Sequence, residues 1–223
     1  MPWNPSATEL TTGVTDAALA VLCLWFLSQL LRMRVDETWK RTLWSWVIGL
    51  LGVASGLGAA AHGLDISERV RTVLWMPLYL SLGLMIALFF VGAVYDWRGE
   101  SAARALLPWA VLTGVGFFLL TQMASGAFLV FVLYEAAAMA AALVMFIALA
   151  RTRRLRGAGR IAWGIALSIA AAAVQASPFG IRLIVPFDHN GLFHLIQMVA
   201  MTVLASGLRL GLERRAAGTA HGN

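Results

Sequence analysis

The chain has 223 residues, of which 60% are hydrophobic and 13% are charged, with a formal net charge of +6 and a mean hydropathy of +0.79. A soluble domain carries about 45–50% apolar and about 25% charged residues, so this composition excludes a water-soluble enzyme. It indicates an all-α, polytopic membrane protein without a nucleic-acid partner, because in such a protein basic residues mark topology.

Seven apolar runs are each long enough to cross a bilayer, which takes about 20 residues. Residues 1–16 contain no Lys or Arg, so the first run lacks the charged start of a cleavable signal peptide and is expected to stay in the membrane. A tight turn is expected at 124–126, and the sixth helix is expected to end at Pro178. The predicted helices cover residues 14–31, 43–64, 73–95, 105–123, 127–150, 161–178 and 191–211.

The basic residues predict the orientation of this seven-helix bundle. When the loops are assigned alternately to two sides, 14 of the 17 Lys and Arg residues fall on one side. The positive-inside rule then places the N-terminus outside and the C-terminus in the cytoplasm, in a multi-pass protein of the cell membrane. The expected parts are an extracytoplasmic segment 1–13, a transmembrane domain 14–211 and a cytoplasmic tail 212–223.

The basic residues and the tryptophans support three further predictions. The basic segment 151–160 either determines topology or attracts anionic lipid, at about 1 kcal/mol per basic residue. The 16 Arg against one Lys are typical of a GC-rich bacterial genome, and so of a bacterial inner-membrane protein. An aromatic belt is expected from Trp39, Trp44, Trp46, Trp97, Trp109 and Trp163.

Polar side chains in the predicted helices gather at the opposite, extracytoplasmic end of the bundle. Polar groups are costly inside a membrane, so their concentration indicates a polar cavity with a function. Every histidine except His221 lies at this end, and Glu135 lies deeper, about 12 Å from the end of the fifth helix. The other polar residues at this end are Asp16, Ser55, Asp65, Tyr79, Gln122, Gln175, Asp188, Asn190 and Gln197.

Three histidines are candidate ligands of a Zn²⁺ ion: His62, His189 and His194. Imidazole is the commonest metal ligand, and catalytic zinc sites use three protein ligands and a water molecule. On one continuous helix His189 and His194 point about 140° apart, so they converge only if His189 precedes the helix, with Asp188 or Asn190 as its N-cap. If His189 is helical, Asn190 shares the face of His194. The alternative to a metal site is a group of solvated histidines at the membrane surface.

The carboxyl group of Glu135 needs a partner, and the predicted spans contain no Lys or Arg except Arg209, which lies at the opposite, cytoplasmic end of the seventh. The candidates are Tyr79, Gln175, a water molecule or a bound cation. An acid buried only for packing is expensive, which favours a functional role over a purely structural hydrogen bond.

The segments FDHNGLFHLIQ, which opens the seventh helix, and GAAAHG, which closes the second, carry a resemblance to a known group of proteins. They resemble the seven-helix superfamily of alkaline ceramidases and progestin/adiponectin receptors. In that superfamily, histidines at these two places hold a zinc ion whose bound water is thought to hydrolyse lipid amides. The resemblance implies that His62 and His194 are zinc ligands in this chain.

The chain departs from that superfamily at three points. The serine four residues before the second-helix histidine falls on Gly58, with Ser55 one turn back. The first histidine of the seventh helix falls on Asn190, with His189 displaced by one residue. The aspartate of the third helix has no counterpart, since residues 73–95 contain no acid. A divergent bacterial branch of the superfamily fits these features best.

Three functions are compatible with the pattern. The first is a zinc-dependent hydrolase of membrane lipid amides, in which Asp65, Asp188 or Glu135 is a general base or orients a ligand. The second is a non-catalytic protein that binds a ligand or handles an ion or proton at Glu135. The third is a haem protein with His62 and His194 as axial ligands. Supporting or substrate contacts are expected from Asp16, Ser55, Tyr79, Gln122, Gln175, Asn190 and Gln197.

Two further functions are excluded at this stage. A retinal Schiff base needs a lysine inside the membrane, and the only lysine, Lys40, is expected in a loop. A sugar carrier built from three-helix repeats is unsupported because the chain has no matching halves.

Overall fold

The computed structural model describes residues 2–123, 127–182 and 184–213. This part of the chain forms seven α-helices and one short hairpin, in which β1 (Ile181–Arg182) pairs antiparallel with β2 (Pro186–Phe187). The helices are α1 Ala7–Arg32, α2 Thr38–Gly63, α3 Glu68–Arg98, α4 Glu100–Met123, α5 Ala127–Arg151, α6 Ala158–Gln175 and α7 His189–Leu212.

All seven helices have the length and apolar composition of membrane-spanning segments. The prediction of an all-α protein with seven such helices is therefore confirmed, and it supports a multi-pass membrane protein. The turn predicted at 124–126 and the predicted tail from residue 214 onward, including His221, lie outside the described residues.

The helices extend beyond the apolar runs that predicted them. α1 begins at Ala7 rather than at residue 14, because the Ser6 hydroxyl accepts a hydrogen bond from the backbone N–H of Glu9 at 3.4 Å and caps the helix. α6, in contrast, ends at Gln175, before the expected end at Pro178. Caps and polar first turns fall outside a hydropathy run, so most predicted bounds are too short.

The N-terminal segment and the starts and ends of several helices meet at one end of the bundle, which we call the histidine end. The backbone N–H of Asn4 donates to the carbonyl of Gly63 at 3.0 Å, and the hydroxyl of Thr12 donates to Asp188 at 2.8 Å. The start of α1 therefore packs against both the end of α2 and the start of α7. The opposite end, which contains the segment 151–160, is called the basic end.

A close contact between α1 and α2 at the histidine end depends on glycine. A Cβ atom on Gly13 would lie 2.7 Å from Cα of Gly63, closer than side chains approach backbone atoms. Only glycine at position 13 allows the two helices to meet at this distance. The contact brings the first turn of α1 beside His62, near the end of α2.

One tryptophan of the expected aromatic belt belongs instead to the protein core. Trp44 is fully buried and packs edge-on against Phe89. A Cβ on Gly92 would lie 2.7 Å from its indole ring, so the ring lies directly against α3. The belt position predicted for Trp44 is therefore wrong, whereas Trp46, Trp109 and Trp163 are well exposed on the surface of the bundle.

Lys40 is also placed differently from its prediction. It lies in the first turn of α2, which starts at Thr38, and not in a loop. Its side chain is buried, and its ammonium group forms an ion pair with Asp96 near the end of α3. The expectation that Lys40 lies in a loop, on which a retinal Schiff base was excluded, is therefore wrong.

Candidate functional site

A cavity of about 330 Å³ opens at the histidine end, and all helices except α4 contribute to its lining. It brings together residues that are far apart in the chain, and ten of them were singled out from the sequence. These ten are Asp16, Ser55, His62, Tyr79, Glu135, Gln175, His189, Asn190, His194 and Gln197.

Three residues singled out from the sequence do not line this cavity. Asp65 is exposed beyond the end of α2, and its backbone N–H donates to the carbonyl of Pro2. Gln122 is exposed on α4, where its amide donates to the hydroxyl of Thr121 at 3.1 Å. Asp188 is the N-cap of α7 and is not part of the cavity lining.

The cap of α7 decides between the alternatives left open for His189. The Asp188 carboxylate accepts hydrogen bonds from the backbone N–H of Gly191 and from the hydroxyl of Thr12, each at 2.8 Å. The helix therefore begins at His189, and Asp188 rather than Asn190 is its N-cap. His189, Asn190 and His194 nevertheless all reach the cavity, because the first turn of α7 forms part of its rim.

His194 is the centre of a buried polar network between α1 and α7. The Thr15 hydroxyl lies 2.9 Å from the backbone carbonyl of Thr12 and 3.1 Å from that of Thr11, and its single proton can be donated to either carbonyl. The hydroxyl therefore accepts a hydrogen bond from Nδ1–H of His194, at 3.1 Å. The other ring nitrogen, Nε2, lies 3.2 Å from Oδ1 of Asp16. One proton between these two atoms satisfies both groups, so both nitrogens of His194 are engaged.

The position of Asp16 explains why residue 58 is a glycine. A Cβ atom on Gly58 would lie 2.5 Å from Oδ2 of Asp16. Glycine at position 58 therefore makes the space into which the Asp16 carboxyl group extends from α1.

His62 lies at the mouth of the cavity and is held by the first turn of α1. Its Nδ1 lies 2.7 Å from Oε2 of Glu9, and its backbone carbonyl accepts a hydrogen bond from the Asn4 side chain at 2.9 Å. The edge of its ring meets Trp75 with 5.5 Å between ring centroids, and Trp75 lies 5.7 Å from Tyr79. An aromatic wall therefore continues from His62 into the cavity.

Two buried acceptor atoms in the cavity have no hydrogen-bond partner in the described part of the chain: Oε2 of Glu135 and Oε1 of Gln175. The amide nitrogen of Gln175 donates to Asn190 at 3.3 Å, whereas its amide oxygen is left without a donor. No hydrogen bond joins Glu135 to Tyr79 or Gln175, its candidate protein partners. Of the predicted partners, a water molecule or a bound cation is left.

The three histidines do not fit a three-ligand zinc site in their observed arrangement. Within residues 2–123, 127–182 and 184–213, no group of three His, Cys, Asp or Glu side chains is placed to hold a metal ion. Both ring nitrogens of His194 are bonded to protein groups, and Nδ1 of His62 is bonded to Glu9. An axial bond from His194 to haem iron meets the same obstacle. Zinc and haem stay predictions, and no reaction step is derived from either.

Three residues of this site escaped the sequence reasoning: Glu9, Thr12 and Thr15. They lie in the polar first turns of α1, ahead of or at the edge of its apolar run. One signal was available, since Ser6 followed three residues later by Glu9 is the spacing of a helix-capping box. That spacing predicts a helix from residue 7 and places Thr12 and Thr15 on it. Their hydrogen bonds to α7 have no signature in the sequence.

Comparison with known proteins identifies a family but no function. No curated protein and no solved structure gives a significant match to the chain. Residues 11–213 match a family described as a family of unknown function (DUF6962). The matched range contains all the residues that line the cavity. The chain therefore belongs to the DUF6962 family.

Proposed function

We propose that this protein is a non-catalytic binding protein whose cavity at the histidine end takes a small amphipathic molecule with a primary amine head group. The observation that carries the proposal is the pair of buried acceptors without partners, Oε2 of Glu135 and Oε1 of Gln175. Buried polar atoms are normally satisfied by protein, water or ligand. An ammonium group carries several N–H donors and is the charge complement of the Glu135 carboxylate.

The charges of the lining favour a cation over an anion. The described residues that line the cavity include no Lys or Arg, but they include two carboxyl groups, those of Asp16 and Glu135. Asp16 is engaged by His194, which leaves Glu135 as the counter-charge. A buried carboxylate without a partner is expensive, and an ammonium group beside it offsets part of that penalty.

The walls suit the remainder of such a ligand. Trp75, Tyr79 and Phe193 line the cavity, and aromatic faces attract cations within about 6 Å. Leu78, Leu82 and Met85 provide an apolar surface for a hydrocarbon group. The volume of about 330 Å³ lies near the lower end of the range for ligand pockets, which favours a compact amphiphile.

The test compares two ligands of similar shape and opposite charge. Protein in nanodiscs is titrated with 2-phenylethylamine and with 3-phenylpropanoate by calorimetry, with empty nanodiscs as the baseline. We expect the amine to bind about tenfold more tightly, as charge-assisted hydrogen bonds to a buried carboxylate require. Glu135→Gln, which keeps the shape but removes the charge, is expected to abolish this preference.

The matched control is Glu68→Gln at the same end of the bundle, where the side chain is 83% exposed and does not line the cavity. Its preference for the amine is expected to equal that of the unmodified protein. Equal binding of the acid and the amine, or an unchanged preference in Glu135→Gln, would disprove the proposal.

We also propose that the histidine end faces outward across the cell membrane and that the basic end faces the cytoplasm. The distribution of Lys and Arg supports this orientation through the positive-inside rule. Single cysteines introduced as Arg69→Cys and Arg160→Cys test it, since both positions are exposed and Cys23 is buried. A membrane-impermeant maleimide is expected to label position 69 in intact cells and position 160 only after permeabilisation. The reverse pattern would contradict the orientation.

Hydrolysis of a membrane lipid amide is a second candidate, because His62, His189 and His194 line one cavity, but it requires His194 to exchange its contact with Asp16 or Thr15 for a zinc ion. Its test is the release of fatty acid from a fluorescent ceramide by protein supplied with zinc. Release that is lost in His62→Ala and His194→Ala, but kept in Asp65→Asn, supports it. The same assay without any release excludes it for this substrate.

A further inference from the structure

A second, larger cavity of about 690 Å³ opens at the basic end of the bundle. It lies between the start of α2, the end of α3, the segment that follows α5 and the end of α7. We call it the basic-end pocket. Its charged lining includes Glu37, Lys40, Asp96, Arg98, Arg154 and Arg156.

The floor of the basic-end pocket is a buried ion pair. Nζ of Lys40 lies 2.5 Å from Oδ1 of Asp96, and the two side chains are 3% and 2% exposed. Glu37 lies 3.4 Å from the same ammonium group. The other carboxylate oxygen of Asp96, Oδ2, is buried and has no hydrogen-bond partner among the described residues. Because a buried charged oxygen without a donor is costly, it marks the position of a ligand atom that donates a hydrogen bond.

Two guanidinium groups of the lining are available to an anion. The side chains of Arg98 and Arg154 make no hydrogen bond or ion pair with any residue in the described ranges. Arg156, in contrast, lies 3.7 Å from Glu213. The planar fork of arginine matches two oxygens of a phosphate group. The pocket therefore offers an unpaired acceptor on its floor and unpaired donors in its lining.

We propose that the basic-end pocket binds a zwitterion that carries both a primary ammonium and a phosphate, the chemistry of a phosphoethanolamine group. The ammonium donates to Oδ2 of Asp96, and the phosphate accepts from Arg98 and Arg154. The described lining contains four basic and five acidic side chains, and this near balance disfavours both a bare anion and a bare cation. The inference concerns the opposite end of the bundle and does not depend on the function proposed for the histidine end.

The position of the pocket favours a lipid as the source of this group. It lies at the ends of helices of membrane-spanning length, where a lipid head group meets the protein. Trp97 is part of its lining, and Trp39 stacks on Tyr95 with 5.6 Å between ring centroids. Tryptophan and tyrosine are enriched at this depth of a bilayer. A soluble phosphoethanolamine compound carries the same chemistry.

The test measures the lipid selectivity of the purified full chain by native mass spectrometry. Phosphatidylethanolamine, phosphatidylcholine and phosphatidylglycerol with identical acyl chains are titrated separately. Phosphatidylcholine keeps the phosphate but has no N–H donor, and phosphatidylglycerol has no ammonium group. We expect phosphatidylethanolamine to bind about tenfold more tightly than either. Equal binding of phosphatidylethanolamine and phosphatidylcholine, or tighter binding of phosphatidylglycerol, overturns the lipid assignment.

Variants separate recognition from folding. Asp96→Asn is expected to abolish the preference for phosphatidylethanolamine over phosphatidylcholine, but it also disturbs the ion pair with Lys40. Arg154→Ala alters only an exposed side chain, and we expect several-fold weaker binding with unchanged thermal unfolding. Arg160→Ala is the matched control, because Arg160 is exposed in the same basic segment but does not line the pocket. An equal loss of binding in Arg160→Ala would overturn the site.

A soluble compound distinguishes the two sources. Glycerophosphoethanolamine that competes with phosphatidylethanolamine supports recognition of the head group by the pocket. Glycerophosphoethanolamine that binds in an Arg154-dependent way, without any lipid selectivity, assigns the site to a soluble ligand of the same chemistry. The zwitterion proposal is overturned when neither binds in an Arg154-dependent way. Glu135→Gln is expected to leave all these results unchanged.

Discussion

The carboxyl group of Asp16 on α1 lies 3.2 Å from Nε2 of His194 on α7, a distance at which one proton can join the two atoms. The proton on Nδ1 of the same ring is held by Thr15, so the imidazole has a single orientation. This pair ties the first helix to the last at the wall of the cavity. Its buried position makes the partner of each atom important for stability.

Substitution of Asp16 tests the shared proton. Asp16→Asn is expected to be tolerated, because the amide N–H can donate to Nε2 of His194. Asp16→Leu leaves that nitrogen buried without a partner, which is expected to cost about 1–3 kcal/mol of stability. The measurement is thermal unfolding in detergent, and Asp65→Leu at an exposed position serves as control. A destabilisation by Asn as large as that by Leu argues for a fully ionic pair instead.

Substitution of two glycines on α2, Gly58 and Gly56, tests whether Asp16 fills the space beside this helix. Gly58→Ala places a methyl group 2.5 Å from Oδ2 of Asp16, so we expect a loss of about 1–3 kcal/mol and weaker amine binding. Gly56→Ala, two residues away, meets nothing within 4 Å and is expected to stabilise the helix slightly. Unfolding temperature and calorimetric affinity report both effects. Equal behaviour of the two variants would show that Asp16 is not held against α2.

The ion pair of Lys40 and Asp96 is expected to be costly to break and cheaper to replace. Removal of one partner leaves the other charge buried, so Lys40→Met and Asp96→Leu are each expected to cost about 3–5 kcal/mol. The double variant removes both charges and is expected to be more stable than either single variant. Chemical unfolding of the four proteins gives this double-mutant cycle. Additive losses would indicate that the two side chains do not interact.

The hydrogen bonds of His194 to Thr15 and Asp16 predict how the protein responds to a chelator. Both ring nitrogens of His194 are satisfied by protein groups, so this residue needs no metal ion to hold its position. We expect EDTA to leave the unfolding temperature unchanged, with zinc re-addition as the matched measurement. A drop in unfolding temperature that zinc reverses, and that His194→Ala abolishes, would instead establish a metal centre.

The sequence predicted the number of helices and the gathering of polar groups because both follow from hydropathy alone. A run of about 20 apolar residues is sufficient for a membrane-spanning helix, and polar residues within such runs can be placed by depth. For this reason Asp16, His62, Glu135 and His194, which lie on four different helices, were expected at one site and are found around one cavity.

Pairing between those groups was not predictable in the same way. Glu9 bonds to His62 because Gly13 and Gly63 allow α1 and α2 to touch, and this contact has no local signal. Asp96 lies one residue beyond the predicted third helix and Lys40 precedes the predicted second helix. Their ion pair was therefore not predicted from the sequence.

By itself the sequence determined that this protein has seven apolar helices, a polar end and a basic end, because burial of apolar surface dictates both composition and periodicity. Only the tertiary structure decided which nitrogen of His194 meets Thr15 and which meets Asp16, and which acceptors stay without a partner. Hydrogen bonds depend on distances of a few tenths of an ångström between helices far apart in the chain. Helix packing sets those distances, and it leaves Oε2 of Glu135 and Oε1 of Gln175 without a hydrogen-bond partner in the described part of the chain.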